Sequence, residues 1–334
     1  MRRCVALLAI VALTGCTTAT STLSPPATTT HAASPPSVTS TSVSPTPPLA
    51  TLTVDVPRPG QMVAAFGSVW VQSRTNGEVW RIAPNGDQAA RIPNATSSRS
   101  APRFNSLPTA IAAGFGSVWS LTNDAIVRID PASNDVVGTI PVTLPNALAV
   151  GEGAVWVVSG PGQVQLLKID PSTMHADVFA RLGTTVGAIG VSAGYIWLIR
   201  ISEAGGMDRI DPNSGELTEL KAGYNDRFLV TTPRWLWLIN SGRAQRIDPT
   251  DGRAVDRRSK PKAPGSIGAS YSHGTLWINN GTAIGIDATS GAVIARIPAF
   301  SGAKWWWTGG IAQLGPRVWL VDPAENRIIG APLN

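Results

Sequence analysis

Several side chains that usually carry chemistry are scarce in this sequence of 334 residues. It has two cysteines and three histidines, and only 14% of its residues are charged, against about 25% in a typical soluble domain. Both cysteines lie within the first 16 residues. The remainder therefore contains no disulfide and no cysteine-ligated metal site.

Long apolar runs and common catalytic motifs are also missing. Beyond the N-terminus, no segment reaches the roughly 18 consecutive apolar residues that span a bilayer, which excludes a transmembrane bundle. There is no G-x-S-x-G elbow, no Walker-type loop and no His or Cys cluster at metal spacing. A hydrophobic content of 43% still suffices for a sizeable core, while 33 glycines and 27 prolines indicate many turns and few long helices.

The N-terminus resembles a bacterial lipoprotein leader. Met1-Arg2-Arg3 precedes an apolar run of nine residues, which is too short to cross a membrane and ends in Leu13-Thr-Gly-Cys16. The resemblance of this ending to a lipobox implies cleavage before Cys16 and lipid on its thiol. We therefore expect a signal peptide at 1–15 and anchoring on the extracytoplasmic face of the cell membrane. An ordinary secretory leader with a chance cysteine is the alternative.

The next segment reads as a tether. Residues 17–50 consist largely of Thr, Ser, Pro and Ala without a charged side chain, so they cannot bury a core and should be extended. We assign 16–50 to the lipidated cysteine and this tether, and 51–334 to the folded domain. After removal of the leader the net charge is about +4, which gives little reason to expect nucleic-acid binding.

From residue 60 onward one unit recurs seven times. Its clearest copy is Ile111-Ala-Ala-Gly-Phe-Gly-Ser-Val-Trp119, followed by Arg128-Ile-Asp-Pro131 and a β-branched run. Each unit reads as four short strands in about 40 residues, which is typical of a β-propeller blade. The units share one tryptophan on the second strand, expected to pack between blades: Trp70, Trp119, Trp156, Trp197, Trp237, Trp277 and Trp319.

Closure of the ring is predicted from the two ends of the domain. The last unit stops before its outer strand, and Thr51-Leu-Thr-Val-Asp-Val-Pro57 matches that missing strand. We therefore predict an all-β, seven-bladed propeller whose N-terminal strand completes the last blade and removes an exposed edge. The acidic residues before the turn prolines are expected to cap turns rather than to perform chemistry.

Candidate binding residues fall on the connections that follow the second and fourth strands of the blades. Three adjacent tryptophans in one connection are costly to expose, and basic and aromatic side chains occur in the others. The alternative is that the tryptophans plug the channel and that the charges form a solvated rim. The candidate residues are Arg99, Arg103, Phe104, Arg200, Tyr224, Arg227, Trp305, Trp306 and Trp307.

The repeat resembles the bacterial YVTN/YncE-like propellers and, more distantly, the streptogramin (virginiamycin B) lyase family. The lyase resemblance implies a Mg²⁺-dependent elimination using His and Glu on the loop-bearing face. His175 and His273 instead lie in turns that belong to the opposite face, so no His–Glu pair can be carried over. A calcium site of scattered loop carboxylates and a quinone cofactor are likewise unsupported.

These observations favour a membrane-anchored, monomeric propeller that acts as a non-catalytic binding or scaffolding module. Its expected partner is a cell-envelope glycan or a protein, and we assign no cofactor, no metal and no catalytic residue. The alternative is a metal-dependent lyase or hydrolase related to streptogramin lyase, using a cation on the loop face.

Overall fold

The computed structural model describes residues 49–73, 78–93, 111–160, 164–201, 205–220, 228–240, 243–255, 268–299 and 309–333. The compact unit begins at Pro48 and extends to the C-terminus. Short antiparallel strands joined by tight turns account for its regular structure. Within the described ranges, no helix is long and apolar enough to span a bilayer.

The strands form seven small antiparallel sheets, which confirms the all-β, seven-bladed propeller. We name the strands of a blade a to d from the inside outward. Blade 1 contains β2 (Pro59–Ala65), β3 (Ser68–Ser73), β4 (Val79–Ile82) and β5 (Gln88–Ile92). Blade 2 contains β6 (Ile111–Gly114), β7 (Ser117–Leu121), β8 (Ala125–Ile129) and β9 (Val136–Pro141). Blade 3 contains β10 (Pro145–Gly151), β11 (Ala154–Ser159), β12 (Val164–Ile169) and β13 (Ala176–Leu182).

The next three blades follow the same order. Blade 4 contains β14 (Val186–Ser192), β15 (Tyr195–Arg200), β16 (Met207–Ile210) and β17 (Leu217–Leu220). Blade 5 contains β18 (Phe228–Thr231), β19 (Leu236–Asn240) and β20 (Arg243–Ile247). A bridge from Ile247 to Ala254 continues this sheet outward in the described residues. Blade 6 contains β21 (Gly268–Ser272), β22 (Thr275–Asn279), β23 (Thr282–Asp287) and β24 (Val293–Pro298).

Blade 7 joins the two ends of the domain, as the sequence predicts. Its inner strands are β25 (Ile311–Leu314), β26 (Arg317–Asp322) and β27 (Arg327–Pro332), and its outer strand is β1 (Leu52–Asp55). The pairing runs from Leu52 opposite Gly330 to Asp55 opposite Arg327. The edge of β27 is therefore covered and the ring is closed.

The anchor tryptophans are core residues that pack between neighbouring blades. Six are completely buried and Trp277 is 3% exposed. Trp70 of blade 1 packs against Val118 and Ile129 of blade 2, and Trp156 of blade 3 packs against Ile189 of blade 4. Since each ring contacts the following blade, these residues connect the sheets into one ring.

A cation from strand c reinforces the junctions between successive blades. Arg81 lies over Trp70, with its guanidinium carbon 5.0 Å from the ring centroid, and donates to the Pro131 carbonyl of blade 2 at 2.7 Å. Arg128 and Lys168 donate to the carbonyls of Pro171 (2.8 Å) and Pro212 (3.3 Å). Arg209 and Arg246 bond the carbonyls of Thr250 and Thr289. These five contacts, here called the cation bridges, join blades 1 to 6 in order.

The acidic residues of the c–d turns cap backbone N–H groups, as predicted. Asp322, which also precedes a proline, instead lies at the end of β26 and accepts a bond from Arg327 Nε at 3.0 Å. The Asp170 carboxylate accepts bonds from the amides of Ser172 and Thr173, at 2.7 and 3.0 Å, and from the Ser172 hydroxyl. These bonds, that of the hydroxyl foremost, lower the pKa of Asp170 to about 2. Backbone hydrogen bonds lower the pKa of Asp130, Asp211 and Asp287 in the same way.

This pattern predicts a loss of stability in acid. A carboxyl whose pKa is lower in the folded chain stabilises the fold above its unfolded value of 3.8, and that contribution disappears as the pH falls towards 2. In thermal unfolding between about pH 5 and pH 2, Asp170→Asn should therefore show a smaller decrease in Tm than the wild type. Ser172→Ala keeps the carboxylate but removes the hydroxyl bond, so its decrease in Tm should be intermediate between those of Asp170→Asn and the wild type. An unchanged acid slope in Asp170→Asn would contradict this role.

Candidate binding face

The two faces of the propeller differ in the length of their connections. One face carries the a–b and c–d turns, and we call it the turn face. Six of the seven a–b turns, such as Phe66-Gly67 and Phe115-Gly116, contain only two residues between the strands. The other face carries the b–c and d–a connections, and we call it the loop face. Its d–a connections range from three residues, between β9 and β10, to eighteen, between β5 and β6.

Most of the predicted binding residues lie outside the part of the chain that the structure describes. All of them belong to connections of the loop face by the strand order given above. Their side-chain placement therefore remains a prediction, and so does the lipidation of Cys16. These residues are Arg99, Arg103, Phe104, Tyr224, Arg227, Trp305, Trp306 and Trp307.

Arg200 is the predicted binding residue whose side chain is described, and it forms ion pairs within blade 4. Its side chain is 18% exposed at the loop-face end of β15. Its Nε lies 3.4 Å from Oδ1 of Asp208, and its Nη1 lies 3.1 Å from Oε2 of Glu219. The guanidinium also covers Gly206, where an added Cβ would come within 2.5 Å of it. A ligand at Arg200 would compete with these carboxylates.

Asp208 is the buried member of this group, with 3% exposure. Burial raises the pKa of its carboxyl, the nearby charge of Arg200 opposes that rise, and Glu219 adds to it. The arrangement spans strands b, c and d of one blade, so it holds that sheet together at its loop-face end. One guanidinium thus faces two carboxylates across the blade.

The inner strands of blades 6, 7 and 1 approach one another closely at their loop-face ends. A Cβ added to Gly268 would lie 1.8 Å from the carbonyl oxygen of Gly309, and one added to Gly310 would lie 2.5 Å from the amide nitrogen of Met62. The Gly310 amide donates to the Gly60 carbonyl at 3.0 Å. Glycine at these positions therefore allows the backbones of three inner strands to approach closely.

Sequence reasoning missed the role of the basic residue in the Arg-Ile-Asp-Pro pattern. The pattern was interpreted as a strand followed by a turn, whereas the basic side chain also bonds the next blade. The sequence does contain an indication of this role, since Arg or Lys recurs at this position in five successive units. The cation bridges end on carbonyls of the c–d turns and thereby stabilise the turn face.

The described residues do not fit the Mg²⁺ site that the lyase resemblance implies. Among them, no group of three or more His, Cys, Asp or Glu side chains is placed to hold a metal ion. His175 lies in the c–d turn of blade 3 and His273 in the a–b turn of blade 6, so both belong to the turn face, as predicted. His175 contacts Asp177 at 3.1 Å, and His273 contacts Ser272 at 2.6 Å.

The fold and its two unequal faces define the chain as a seven-bladed β-propeller. No family model and no curated protein matches the sequence. Virginiamycin B lyase from Staphylococcus aureus has a similar structure, with 15% identity over 85% of this chain and 99% of that chain, at a TM-score of 0.61. A streptogramin B lyase shows 13% identity over 84% of this chain and 97% of that one, at 0.60.

A WD40 domain is equally similar in structure. The Pan2 WD40 domain of Neurospora crassa shows 12% identity over 84% of this chain and 94% of that one, at a TM-score of 0.62. The expected similarity to the streptogramin lyases is thus confirmed for the fold. At these identities, the likeness extends no further.

Proposed function

We propose that this chain is a lipid-anchored, extracytoplasmic propeller that acts as a non-catalytic binding or scaffolding module, with its ligand on the loop face. The observation that carries this proposal is the contrast between the two faces. Binding residues occur preferentially on variable loops held by a rigid scaffold. The turn face instead has uniform connections and is stabilised by the cation bridges.

Two chemical features of the loop-face connections support a ligand that is polar and carries rings or negative charge. The connection between β24 and β25 contains Trp305, Trp306 and Trp307, which offer flat apolar surfaces for stacking. Arg99, Arg103 and Arg227 in the other long connections can form charge-assisted hydrogen bonds. A cell-envelope glycan, with its sugar rings, or an acidic protein surface, with its negative charge, fits this description.

The point at which the described chain begins is compatible with this role. The chain enters the described domain at Leu49, and β1 then runs from the turn face to the loop face because it pairs antiparallel with β27. The carbonyl of Ala50 accepts a bond from Arg317 at the turn-face end of β26. The described chain therefore begins at the turn face, opposite the proposed binding face.

The double variant Trp305→Ala/Trp306→Ala tests the proposal. Because hot-spot aromatics supply a large share of binding energy, we expect an affinity at least about tenfold weaker for purified cell-wall glycan, measured by calorimetry with the full chain. The Tm should remain nearly unchanged. The matched control is Phe66→Ala/Phe115→Ala, which removes two exposed rings from the turn face and should leave the affinity unchanged.

Two outcomes would overturn this assignment. A large decrease in Tm would show that the tryptophans are core residues, and an unchanged affinity would place the ligand elsewhere. The alternative is a metal-dependent lyase or hydrolase, which the fold-level likeness to the streptogramin lyases favours. Repeating the titration with Mg²⁺ and with a chelator distinguishes it from the binding proposal. The binding proposal requires no difference between the two conditions.

A further inference from the structure

A cavity of about 460 Å³ opens beside the ring closure, at the loop-face end of blade 7. It lies between the d–a connection after β1 and the b–c turn between β26 and β27. Its volume falls in the range of small-molecule sites. It is largely open to solvent, and its charged side chains are exposed. The lining residues are Asp55, Val56, Pro57, Arg58, Glu325 and Asn326.

The charged side chains of this cavity do not neutralise one another. Arg58 supplies a guanidinium, and Asp55 and Glu325 supply carboxylates. Within the described ranges, none of the three side chains forms an ion pair or a hydrogen bond. Opposite charges that share a cavity without contact leave space for a ligand that contacts both.

The backbone around Arg58 is held in an uncommon conformation. Arg58 has φ of 42° and Asn326 has φ of 54°, both in the left-handed region that side chains other than glycine rarely adopt. Pro59 follows Arg58, and a following proline favours an extended backbone, so the φ of Arg58 departs from that preference as well.

Three hydrogen bonds maintain this conformation. The Arg58 amide donates to Oδ1 of Asn326 at 3.0 Å, and the Val56 amide donates to the Asn326 carbonyl at 2.9 Å. The Ser73 hydroxyl of blade 1 donates to the Pro57 carbonyl at 2.8 Å. The connection is therefore fixed to both blades that it joins, and the guanidinium has a fixed point of attachment beside the cavity.

We infer that this cavity binds a small zwitterion, namely the end of an amino acid or short peptide that carries both an ammonium and a carboxylate. Arg58 would hold the carboxylate through two parallel N–H···O bonds. Asp55 and Glu325 would accept hydrogen bonds from the ammonium. The inference rests on the proposed function, because it names a ligand class for the same loop face, at a position away from the tryptophan connection.

Calorimetric titration of the full chain with L-alanyl-L-alanine tests this inference. The free dipeptide carries both charges, its C-terminal amide keeps only the ammonium, and its N-acetyl form keeps only the carboxylate. We expect the free dipeptide to bind with a Kd below about 10 mM. Each blocked form should bind at least about tenfold more weakly, because it lacks one charge-assisted contact. Equal affinities for the free and blocked forms would overturn the zwitterion assignment.

Arg58→Gln and a matched arginine variant locate the site. Arg58→Gln should weaken dipeptide binding at least about tenfold, with little change in Tm because the side chain is exposed. The control Arg253→Gln removes an arginine that is 86% exposed in the c–d turn of blade 5, on the turn face, and should bind as the wild type does. No binding up to about 10 mM, or an unchanged affinity in Arg58→Gln, would overturn the site.

These results are separable from a failure of the proposed function. Glycan binding that depends on Trp305 and Trp306, without dipeptide binding, retains the proposed function and overturns the zwitterion site. Dipeptide binding that depends on Arg58, without an effect of the tryptophan variant on glycan, supports the zwitterion site and overturns the tryptophan surface.

Discussion

Gly268→Ala should reduce the free energy of unfolding by about 3 kcal/mol, at the upper end of the usual cost of overpacking. The added Cβ would lie 1.8 Å from the Gly309 carbonyl oxygen and 2.9 Å from its carbonyl carbon. Both atoms are backbone, so no side-chain rotation relieves the clash, and the inner strands of blades 6 and 7 must separate. Urea unfolding at constant m-value measures the change.

Gly183→Ala is the matched control for this prediction. Gly183 lies in the connection between β13 and β14, where an added Cβ meets no atom within 4 Å. Because the same substitution there adds a methyl group without a clash, the urea midpoint of Gly183→Ala should stay close to that of the wild type. If Gly268→Ala unfolds at the same urea concentration as this control, the close approach of blades 6 and 7 is not a determinant of stability.

Deletion of residues 49–55 should abolish cooperative folding of the propeller. The deletion removes β1, uncovers β27, and takes Leu52 and Val54 away from the cluster that contains Trp80 and Trp319. An open hydrophobic edge favours pairing between chains. We expect aggregation in size-exclusion chromatography and no single thermal transition.

The tether cannot replace the missing strand, because Pro45, Pro47 and Pro48 would then occupy paired positions. Removal of seven residues from the tether, at 33–39, is the control and should leave both the elution volume and Tm unchanged. A monomeric 49–55 deletion with a cooperative transition near the wild-type Tm would show that the ring does not depend on its N-terminal strand.

The fold could be predicted from the sequence because its information is repeated along the chain. A recurring pair on strand b, Val, Ile or Leu followed by Trp, indicates a buried position in every blade, and the segment at 51–57 matches a strand missing at the other end. Seven agreeing copies compensate for the weakness of each single strand signal. The same reasoning placed His175 and His273 on the turn face.

The candidate site could not be predicted to the same extent, because binding residues lie where the repeat is interrupted. The charge of Arg200 and its position beside a loop favour a binding role, but its two acidic partners on β16 and β17 are brought to it only by the folding of blade 4. Arg58 was overlooked because its cavity forms only when residues from opposite ends of the chain meet. Such long-range pairs leave no periodic signal in one sequence.

The order of the cation bridges indicates where the ring opens most easily. In blades 6 and 7, glycines 285 and 330 replace the bridging residue and lie against Trp277 and Trp319. Blade 6 instead contacts blade 7 through Trp277 Nε1 and Gln313 Oε1, at 2.9 Å. Among the residues that the structure describes, the two junctions beside the closure thus show no bridging cation of the kind present at the other five, so local unfolding should begin there. The connection with Trp305 to Trp307 crosses the first of these junctions, and the cavity beside Arg58 lies at the second. Ligands bound at either position would therefore protect backbone amides of blades 6, 7 and 1 from hydrogen exchange and leave the exchange of blades 2 to 5 unchanged.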